Sequence, residues 1–273
     1  MQEAILFATI RQKKGVRAMN QKTDYIAVFD SGVGGISVLR QLRKILPNER
    51  YLYYGDSANA PYGTRSAEEI RQLTLAALEK VMTQGVKALV VACNTATSAA
   101  LDALKEKYPH MIVVGIEPAL DLAAKQFPGG RIAVMATPAT LKGTRFLQNK
   151  EKYGEVCNVI PLPAPGLMEL VEAGKADSPE ADDFVEALLK PYLGQLDGLV
   201  LGCTHYPFTE NALRRVAGEK LALFDGAVVT AQQTKDALMR ADLLYDGPGE
   251  VVFQNSLPGE SMLTLSRFLA GME

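Results

Sequence analysis

Two stretches of this chain share one order of residues: an apolar run, then a cysteine, then small polar side chains. The first is Ala88–Thr97 (A-L-V-V-A-C-N-T-A-T) and the second is Asp197–Pro207 (D-G-L-V-L-G-C-T-H-Y-P). A continuous apolar run closed by polar residues is typical of a strand buried on both faces of a parallel sheet. Cys93 and Cys203 are therefore expected at turns that follow buried strands, where open parallel sheets bind their ligands.

The alternative is that each cysteine is a packed core residue, which is the commoner fate of a lone free cysteine. The two stretches are not isolated, however. Cys203 lies 110 positions after Cys93, and Arg131–Met135 (R-I-A-V-M) echoes Tyr25–Phe29 (Y-I-A-V-F) at an offset of 106. Two anchors at nearly one offset indicate an internal duplication, and two thiols at equivalent turns favour a functional role.

The length and element pattern predict the fold class. A chain of 273 residues is long for one hydrophobic core, and its strand patterns alternate with helical ones, which indicates parallel sheets. We expect an α/β protein of two pseudo-symmetric, doubly wound parallel-sheet domains with the active site in the cleft between them. The predicted division is an appendage at 1–23, a first domain at 24–116 plus 227–273, and a second domain at 117–226.

The predicted appendage contains a short apolar run, Ala4–Ile10, which precedes a basic cluster. A secretory signal has the opposite order, with its positive charge first. We therefore do not interpret residues 1–23 as a targeting segment, and Met19 is an alternative start site.

Composition argues against several classes of partner. The formal net charge is −2 without blocks of like charge, which favours neither nucleic acid nor an anionic membrane as a partner. No apolar run approaches the ~20 residues that span a bilayer. Three cysteines without Cys-x-x-Cys spacing indicate a reducing, cytoplasmic compartment, and they predict neither a disulfide framework nor a metal site.

A glycine-rich turn, Asp30–Gly35 (D-S-G-V-G-G), follows the first predicted strand. It resembles a phosphate-binding turn but matches neither G-x-G-x-x-G nor the P-loop. The alternative is a tight turn in which Ser31 caps the next helix, and the pattern alone does not decide between these. Asp30 favours function, because a carboxylate at a buried strand end needs a partner.

Histidine is rare in the chain, and one of its two copies, His205, lies two positions after Cys203. This spacing allows acid–base exchange with the thiol or a ligand, although a lone histidine is usually structural. His110 follows a proline in a predicted loop and is expected at the surface. Cys157 lies in an apolar strand pattern without an echo and is expected in the core.

Two further features have ordinary structural alternatives. Glu169 and Glu172 share a predicted helix three residues apart, which is equally the pattern of a solvated helix face. Tyr62-Gly63 lies in a loop and is consistent with a simple turn.

Together these motifs closely resemble the glutamate racemases of the cofactor-independent aspartate/glutamate racemase superfamily, from Tyr25 to the last strand. The Thr204-His205 pair favours glutamate over aspartate racemases, which typically carry a glutamate after Cys-Thr. The motifs that carry the resemblance are F-D-S-G-V-G-G at Phe29–Gly35, Y-G-D at Tyr54–Asp56, P-Y-G at Pro61–Gly63, A-C-N-T-A-T at Ala92–Thr97 and G-C-T-H-Y-P at Gly202–Pro207.

The resemblance implies that Cys93 and Cys203 are the two acid/base thiols, assisted by Asp30 and His205. A P-x-x-x-x-x-V-E stretch at Pro165–Glu172 matches the family's helper glutamate and selects Glu172 over Glu169. The residues implied to bind substrate are Asp30, Ser31, Tyr62, Gly63, Asn94, Thr95, Thr204 and His205. The resemblance also implies no cofactor, a homodimer, and a supply of D-glutamate for peptidoglycan. This chain departs from the family at Ala164, often a cysteine, and in its N-terminal appendage.

The implied chemistry agrees with the residue pattern. Inverting an α-carbon by proton transfer needs a base on one face and an acid on the other, which a cleft between duplicated domains can supply. An unperturbed thiol titrates near ~8.5, so modest shifts would let a thiolate and a thiol coexist. The helix start after Cys93 is expected to favour its thiolate.

Three alternatives stay open from the sequence. One is a racemase of another substrate, such as aspartate or a hydantoin. Another is a non-catalytic two-domain protein that closes on a small anion. A thiol–disulfide enzyme is least favoured, because no Cys-x-x-Cys pair is present.

Overall fold

The computed structural model describes residues 21–272 of the protein. Most of the expected appendage, and the alternative start at Met19, lie outside the described residues. The strands are β1 (Tyr25–Asp30), β2 (Arg50–Gly55), β3 (Val86–Val91), β4 (Ile112–Gly115), β5 (Arg131–Ala136), β6 (Asn158–Pro163), β7 (Gly198–Leu201), β8 (Ala222–Phe224) and β9 (Glu250–Asn255). The helices are α1 (Ile36–Ile45), α2 (Ala67–Val81), α3 (Asn94–Lys107), α4 (Leu120–Gln126), α5 (Pro138–Lys142), α6 (Thr144–Gly154), α7 (Leu167–Glu172), α8 (Pro179–Leu189), α9 (Glu210–Ala217), α10 (Ala227–Arg240) and α11 (Ser261–Leu269). Short 3₁₀ segments occupy Ser57–Asn59, Lys190–Tyr192 and Tyr206–Thr209.

The strands form two separate parallel sheets with matching topology. One sheet has the order β4-β3-β1-β2-β9 and the other has the order β6-β5-β7-β8. In each, the first strand of the repeat pairs with the second and third, and the fourth lies outside the third. This confirms the predicted fold class of two parallel-sheet α/β domains. We call the sheet that ends at Cys93, with its helices, the Cys93 unit, and the other the Cys203 unit.

The duplication extends to backbone hydrogen bonds just before each cysteine. The amide of Ala92 donates to the carbonyl of Phe29 at 2.8 Å, and that of Gly202 donates to Met135 at 2.7 Å. In both units this hydrogen bond joins the residue before the cysteine to the first strand of the repeat, β1 or β5. The two thiols are therefore fixed at equivalent strand ends.

Each sheet has apolar clusters on both faces, as expected for parallel sheets covered by helices. All six residues of β3 are buried, which agrees with the apolar run in the sequence. Strand β9 adds to the Cys93 unit by pairing with β2, so the end of the chain returns to that sheet. Between residues 21 and 272 no helix is long and apolar enough to cross a membrane.

Element ends differ from the sequence predictions by a few residues. The sequence pattern predicts a helix from Ser66 through about Gln84 and a strand at Val156–Pro161, whereas the structure has the helix at Ala67–Val81 and the strand at Asn158–Pro163. The helix after Pro179 ends at Leu189 rather than Leu193, because Pro191 cannot donate a backbone hydrogen bond and the chain tightens into a 3₁₀ turn.

Two local structures were not predicted. Helices α5 and α6 follow β5, in a stretch to which the sequence pattern assigned no element. After Cys203 the chain forms a 3₁₀ turn containing Pro207 before α9 begins, whereas α3 begins directly after Cys93. The two turns are thus equivalent at the strand ends but not at the helix starts.

A buried ion pair stands at the base of the Cys93 unit, far from the cysteine end of the sheet. The side chains of Lys87 and Glu49 are 0% and 1% exposed, and Lys87 Nζ lies 2.6 Å from Glu49 Oε2. Lys87 Nζ also donates to the carbonyls of Lys22 and Leu243, at 2.6 and 2.8 Å. Burial lowers the pKa of Lys87, and its bond to Glu49 opposes this. The pair ties segments from both ends of the described chain to strand β3.

Replacing Lys87 alone should be strongly destabilising, because Glu49 would keep a buried charge without its cation. We expect Lys87→Met to lower the free energy of unfolding by about 3–5 kcal/mol. The double variant Lys87→Met/Glu49→Leu should recover part of that loss. Urea unfolding followed by circular dichroism measures both, and a Lys87→Met variant as stable as the wild type would contradict the structural role of the pair.

Candidate active site

One cavity lies between the two units at the cysteine ends of their sheets. Both thiols line it, together with most of the substrate-binding residues that the sequence singled out. Those lining residues are Ser31, Tyr62, Gly63, Cys93, Asn94, Thr95, Cys203, Thr204 and His205. Asp30 and Glu172 are not among the lining residues, and they contact that set from behind.

Cys93 occupies the N-cap position of α3 and is 5% exposed. Its Sγ accepts a hydrogen bond from the amide of Ala96 at 3.4 Å and lies 3.4 Å from Ser31 Oγ. Burial, and then the charge of Asp30, raise the pKa of Cys93 to about 12, while the bonds from Ser31 and Ala96 oppose the rise. The helix-start amide of Ala96 therefore acts in the expected direction, but desolvation outweighs it and the net shift of the Cys93 pKa is upward.

Asp30 is fully buried and has the partners that its position requires. Oδ1 accepts from the amide of Gly32 at 2.9 Å, and Oδ2 accepts from Thr204 Oγ1 at 2.9 Å. Burial raises the pKa of Asp30, whereas the charge of His205 and the bonds from Thr204 and Gly32 lower it. The bond to Thr204 joins the two units, because Asp30 ends β1 and Thr204 follows Cys203.

Cys203 is linked to a histidine–glutamate pair. Its Sγ lies 3.6 Å from His205 Nδ1, and His205 Nε2 lies 2.7 Å from Glu172 Oε1. Burial lowers the pKa of His205, but its bonds to Cys203 and Glu172 outweigh burial and raise that pKa well above the usual value. Glu169, the alternative at the same helix, lines the cavity and does not make this contact. The geometry thus places Glu172 where it can hold the imidazole of His205.

The histidine–glutamate pair, His205 and Glu172, packs against the glycine-rich turn after β1. The amide of Val33 donates to Glu172 Oε1 at 2.7 Å. A Cβ on Gly32 would collide with Glu172 Oε1, and one on Gly34 would collide with His205 Nδ1. Glycine is needed here because side chains of the other unit approach the backbone so closely. The capping alternative for Ser31 is wrong, since α1 begins after Gly35 without a side-chain cap.

The Pro61–Gly63 loop is hydrogen-bonded to both units. Tyr62 donates its hydroxyl to Asp56 Oδ2 at 2.5 Å, and Asp56 is itself buried. The carbonyl of Gly63 accepts from the amide of Ala139 in the Cys203 unit at 3.0 Å. Tyr62-Gly63 is therefore more than a turn, since it forms one wall of the cavity.

Asn94 supplies a free donor at this wall. Its Nδ2 is buried and has no hydrogen-bond partner among residues 21–272. Because the side chain lines the cavity, this amide is positioned to serve a bound acceptor.

Thr137 and Thr140 belong to the site but were missed by sequence reasoning. The hydroxyls of Thr95, Thr137 and Thr140 lie 3.0 to 3.1 Å from one another, so they join α3 to the start of α5 across the units. Thr137 also lines the cavity. A signal was present in the sequence. Ala136 ends β5 as Asp30 ends β1, so Thr137 and Pro138 occupy the positions that correspond to Ser31 and Gly32.

The remaining candidates lie outside the cavity. Cys157 is buried with its Sγ 3.6 Å from the carbonyl of Tyr153, and His110 is exposed, as both were predicted to be. All three cysteines are free thiols. Within the described residues, no three His, Cys, Asp or Glu side chains converge as a metal site would require.

Comparison with known proteins places the chain in a family. The profile of the Asp/Glu/Hydantoin racemase family matches residues 34–234, so the chain belongs to that family. A glutamate racemase of Clostridium perfringens (strain SM101 / Type A) is 45% identical over 249 residues, which are 89% of this chain and 95% of that protein. The structure of a glutamate racemase isoform from Bacillus anthracis aligns with a TM-score of 0.83 and 30% identity, over 93% of this chain and 96% of that one. A glutamate racemase of Francisella tularensis in complex with D-glutamate aligns with a TM-score of 0.79 and 25% identity, over 92% and 95%.

The raised pKa of His205 predicts a pH-dependent contribution to stability. The protonated ring stabilises the fold fully below its unfolded pKa of about 6.5, and this contribution is lost as pH rises through the folded-state value. The difference in melting temperature between the wild type and His205→Asn should therefore be largest below about pH 6.5 and shrink as the pH rises above that value. A difference that is constant or grows with pH would contradict the assignment.

Proposed function

We propose that this protein interconverts L- and D-glutamate by proton transfer at the α-carbon between two thiols. The observation that carries the proposal is one cavity lined by Cys93 and Cys203 from equivalent strand ends of two opposed units. The relatives from Clostridium perfringens and Francisella tularensis, named as glutamate racemases, support glutamate as the substrate.

The reaction needs one base and one acid. The thiolate of one cysteine takes the α-hydrogen as a proton and becomes a thiol, which leaves the electron pair on the α-carbon and its carboxylate. The thiol of the other cysteine then gives a proton to the opposite face and becomes a thiolate. The product is the mirror image, and no electron is gained or lost. This balance requires no cofactor, and none is part of the proposal.

The two thiols have different supporting groups. On one wall, Cys93 has Ser31, the Ala96 amide and nearby Asp30. On the other, Cys203 has His205, which is held by Glu172. We assign Cys93 to deprotonation of D-glutamate and Cys203 to deprotonation of L-glutamate, following the family resemblance.

Substrate binding has to lower the pKa of Cys93, because burial keeps it near 12. The α-ammonium group of glutamate is a cation, and Asp30 is a buried carboxyl whose charge acts on Cys93. A cation placed between Asp30 and the thiol would offset the negative charge of Asp30 and favour the thiolate. The substrate would then activate its own base, and Asp30 would contribute to both binding and proton transfer.

The cavity suits a small amino acid whose two carboxylates are held by neutral donors. None of the described residues that line it is lysine or arginine. The hydroxyls of Ser31, Thr95 and Thr204, the Asn94 amide, and backbone amides at the loop and helix starts would bind the carboxylates. Protonated His205 would add the one positive charge. Tyr62 and Gly63 would shape the wall that faces the substrate side chain.

The wider role follows from the same resemblance. We propose that the enzyme supplies D-glutamate for peptidoglycan, and so serves cell-wall biogenesis and cell shape, in the cytoplasm and as a homodimer. Nucleic acid and membranes have no part in this role. We also propose the division into domains at 24–116 plus 227–273 and at 117–226, since the chain crosses between the sheets near both limits.

The test of substrate and class is circular dichroism of purified protein mixed with L-glutamate, without added cofactor. Decay of the signal to zero supports racemisation. A panel with L-aspartate and a hydantoin separates the other racemases of the superfamily. A protein that binds glutamate but leaves the signal unchanged would be the non-catalytic anion-binding alternative.

Removing either thiol should abolish racemisation, because each wall supplies one obligatory proton transfer. Cys93→Ala and Cys203→Ala should each lower turnover to background, while Cys157→Ala, a matched buried cysteine outside the cavity, should retain wild-type turnover. Substantial racemisation by either alanine variant at position 93 or 203 would show that one base suffices.

Asp30→Asn and His205→Asn should lower turnover by roughly 10²–10⁴-fold.

A further inference from the structure

We infer that Ser37 is a positioning residue for the Cys203 side of the site, because it holds the peptide between Thr204 and His205 from the opposite unit. Its catalytic consequence rests on the proposed function. The contact itself does not.

Ser37 lies in the first turn of α1 and is buried. Its hydroxyl donates to the carbonyl of Thr204 at 2.9 Å, and the same proton is shared with the carbonyl of Gly34 at 2.9 Å. The bond to Gly34 is an ordinary contact within the start of a helix. The bond to Thr204 crosses from the Cys93 unit to the residue between Cys203 and His205, which local helix structure does not require.

Thr204 is consequently held at two points by the Cys93 unit. Asp30 accepts its hydroxyl and Ser37 donates to its carbonyl. Two fixed points set the orientation of the peptide plane that leads into His205. Gly34 also contacts the imidazole of His205, which occupies the space that a Cβ at position 34 would fill.

The orientation matters because the contact between His205 Nδ1 and Cys203 Sγ is long, at 3.6 Å. Hydrogen bonds weaken steeply with distance and angle, so a small rotation of this peptide would uncouple the imidazole from the thiol. The neighbours of Cys93, Ser31 and the Ala96 amide, are not bonded to Ser37. Loss of the Ser37 hydroxyl should therefore impair proton transfer at Cys203 and spare that at Cys93.

The first experiment compares Ser37→Ala with Thr234→Val. Thr234 is a matched control, because its buried hydroxyl on α10 donates to the carbonyl of Thr230 in the preceding turn, within the Cys93 unit alone. We expect Ser37→Ala to lower turnover about three- to ten-fold, the effect of one hydrogen bond, and Thr234→Val to leave it unchanged. Ser37→Thr, which keeps the hydroxyl, should restore turnover, and Ser37→Cys is a second variant with a weak donor should the alanine variant not fold.

The deuterium isotope effect on kcat/KM distinguishes positioning from general damage. Since the equilibrium constant between enantiomers is one, a variant must lower kcat/KM equally in both directions. If the Cys203 step becomes more rate-limiting, the isotope effect should rise with α-deuterated L-glutamate and fall with α-deuterated D-glutamate. Unchanged isotope effects, a rise with D-glutamate instead, or equal losses in Thr234→Val would overturn the inference.

A second measurement does not depend on catalysis. The chain has only two histidines, so the imidazole Cε1–H resonances of His205 and His110 can be separated by NMR of labelled protein. The His205 resonance should shift in Ser37→Ala and not in Thr234→Val, with exposed His110 unchanged as the reference. If the wild type fails to racemise glutamate, the proposed function fails and this resonance alone decides the contact. An unshifted His205 would overturn it.

Discussion

The site depends on close docking between the glycine-rich turn of one unit and the histidine–glutamate pair of the other. The amide of Val33 binds Glu172 at 2.7 Å, and Asp30 binds Thr204 at 2.9 Å. These buried bonds form in a low dielectric, where a satisfied polar contact is strong and an unpaired one is costly. Small residues at positions 32 and 34 let the backbone approach so closely. The side chains of His205 and Glu172 beside Cys203 are thus positioned by the opposite unit, which makes the cavity a property of both units together.

The same burial that builds the site opposes its chemistry. Desolvation holds Cys93 as a thiol and raises the pKa of Asp30, while His205 is kept protonated by its two partners. Before substrate arrives the cavity therefore favours the neutral acid on one wall and a cation on the other. A substrate that brings its own ammonium group and carboxylates supplies the missing charges. In the proposed reaction, binding of the amino acid and activation of the base would then have one physical origin.

Patterns of local sequence were enough to predict the two sheets, because strands buried on both faces leave a clear apolar signature. They also predicted the shared cavity for Cys93 and Cys203, which follows from the duplication. They missed contacts that depend on distant segments, such as the hydroxyls of Thr137 and Thr140, and the buried pair of Lys87 and Glu49, where a charged residue lies within a strand. The desolvation that raises the pKa of Cys93 was not predicted for the same reason, since helix-start amides are local and desolvation comes from the whole fold.

In the proposed mechanism each thiol serves one face of the α-carbon. The most direct test is racemisation of L-glutamate by the wild type in deuterated water, with the α-deuterium content of both enantiomers followed by mass spectrometry at early conversion. The returning proton comes from the opposite thiol, which has exchanged with solvent, so the D-glutamate product should carry α-deuterium while the remaining L-glutamate gains little. Deuterium that appears in the remaining L-glutamate as fast as in the product would mean that one base acts on both faces, and would contradict the claim.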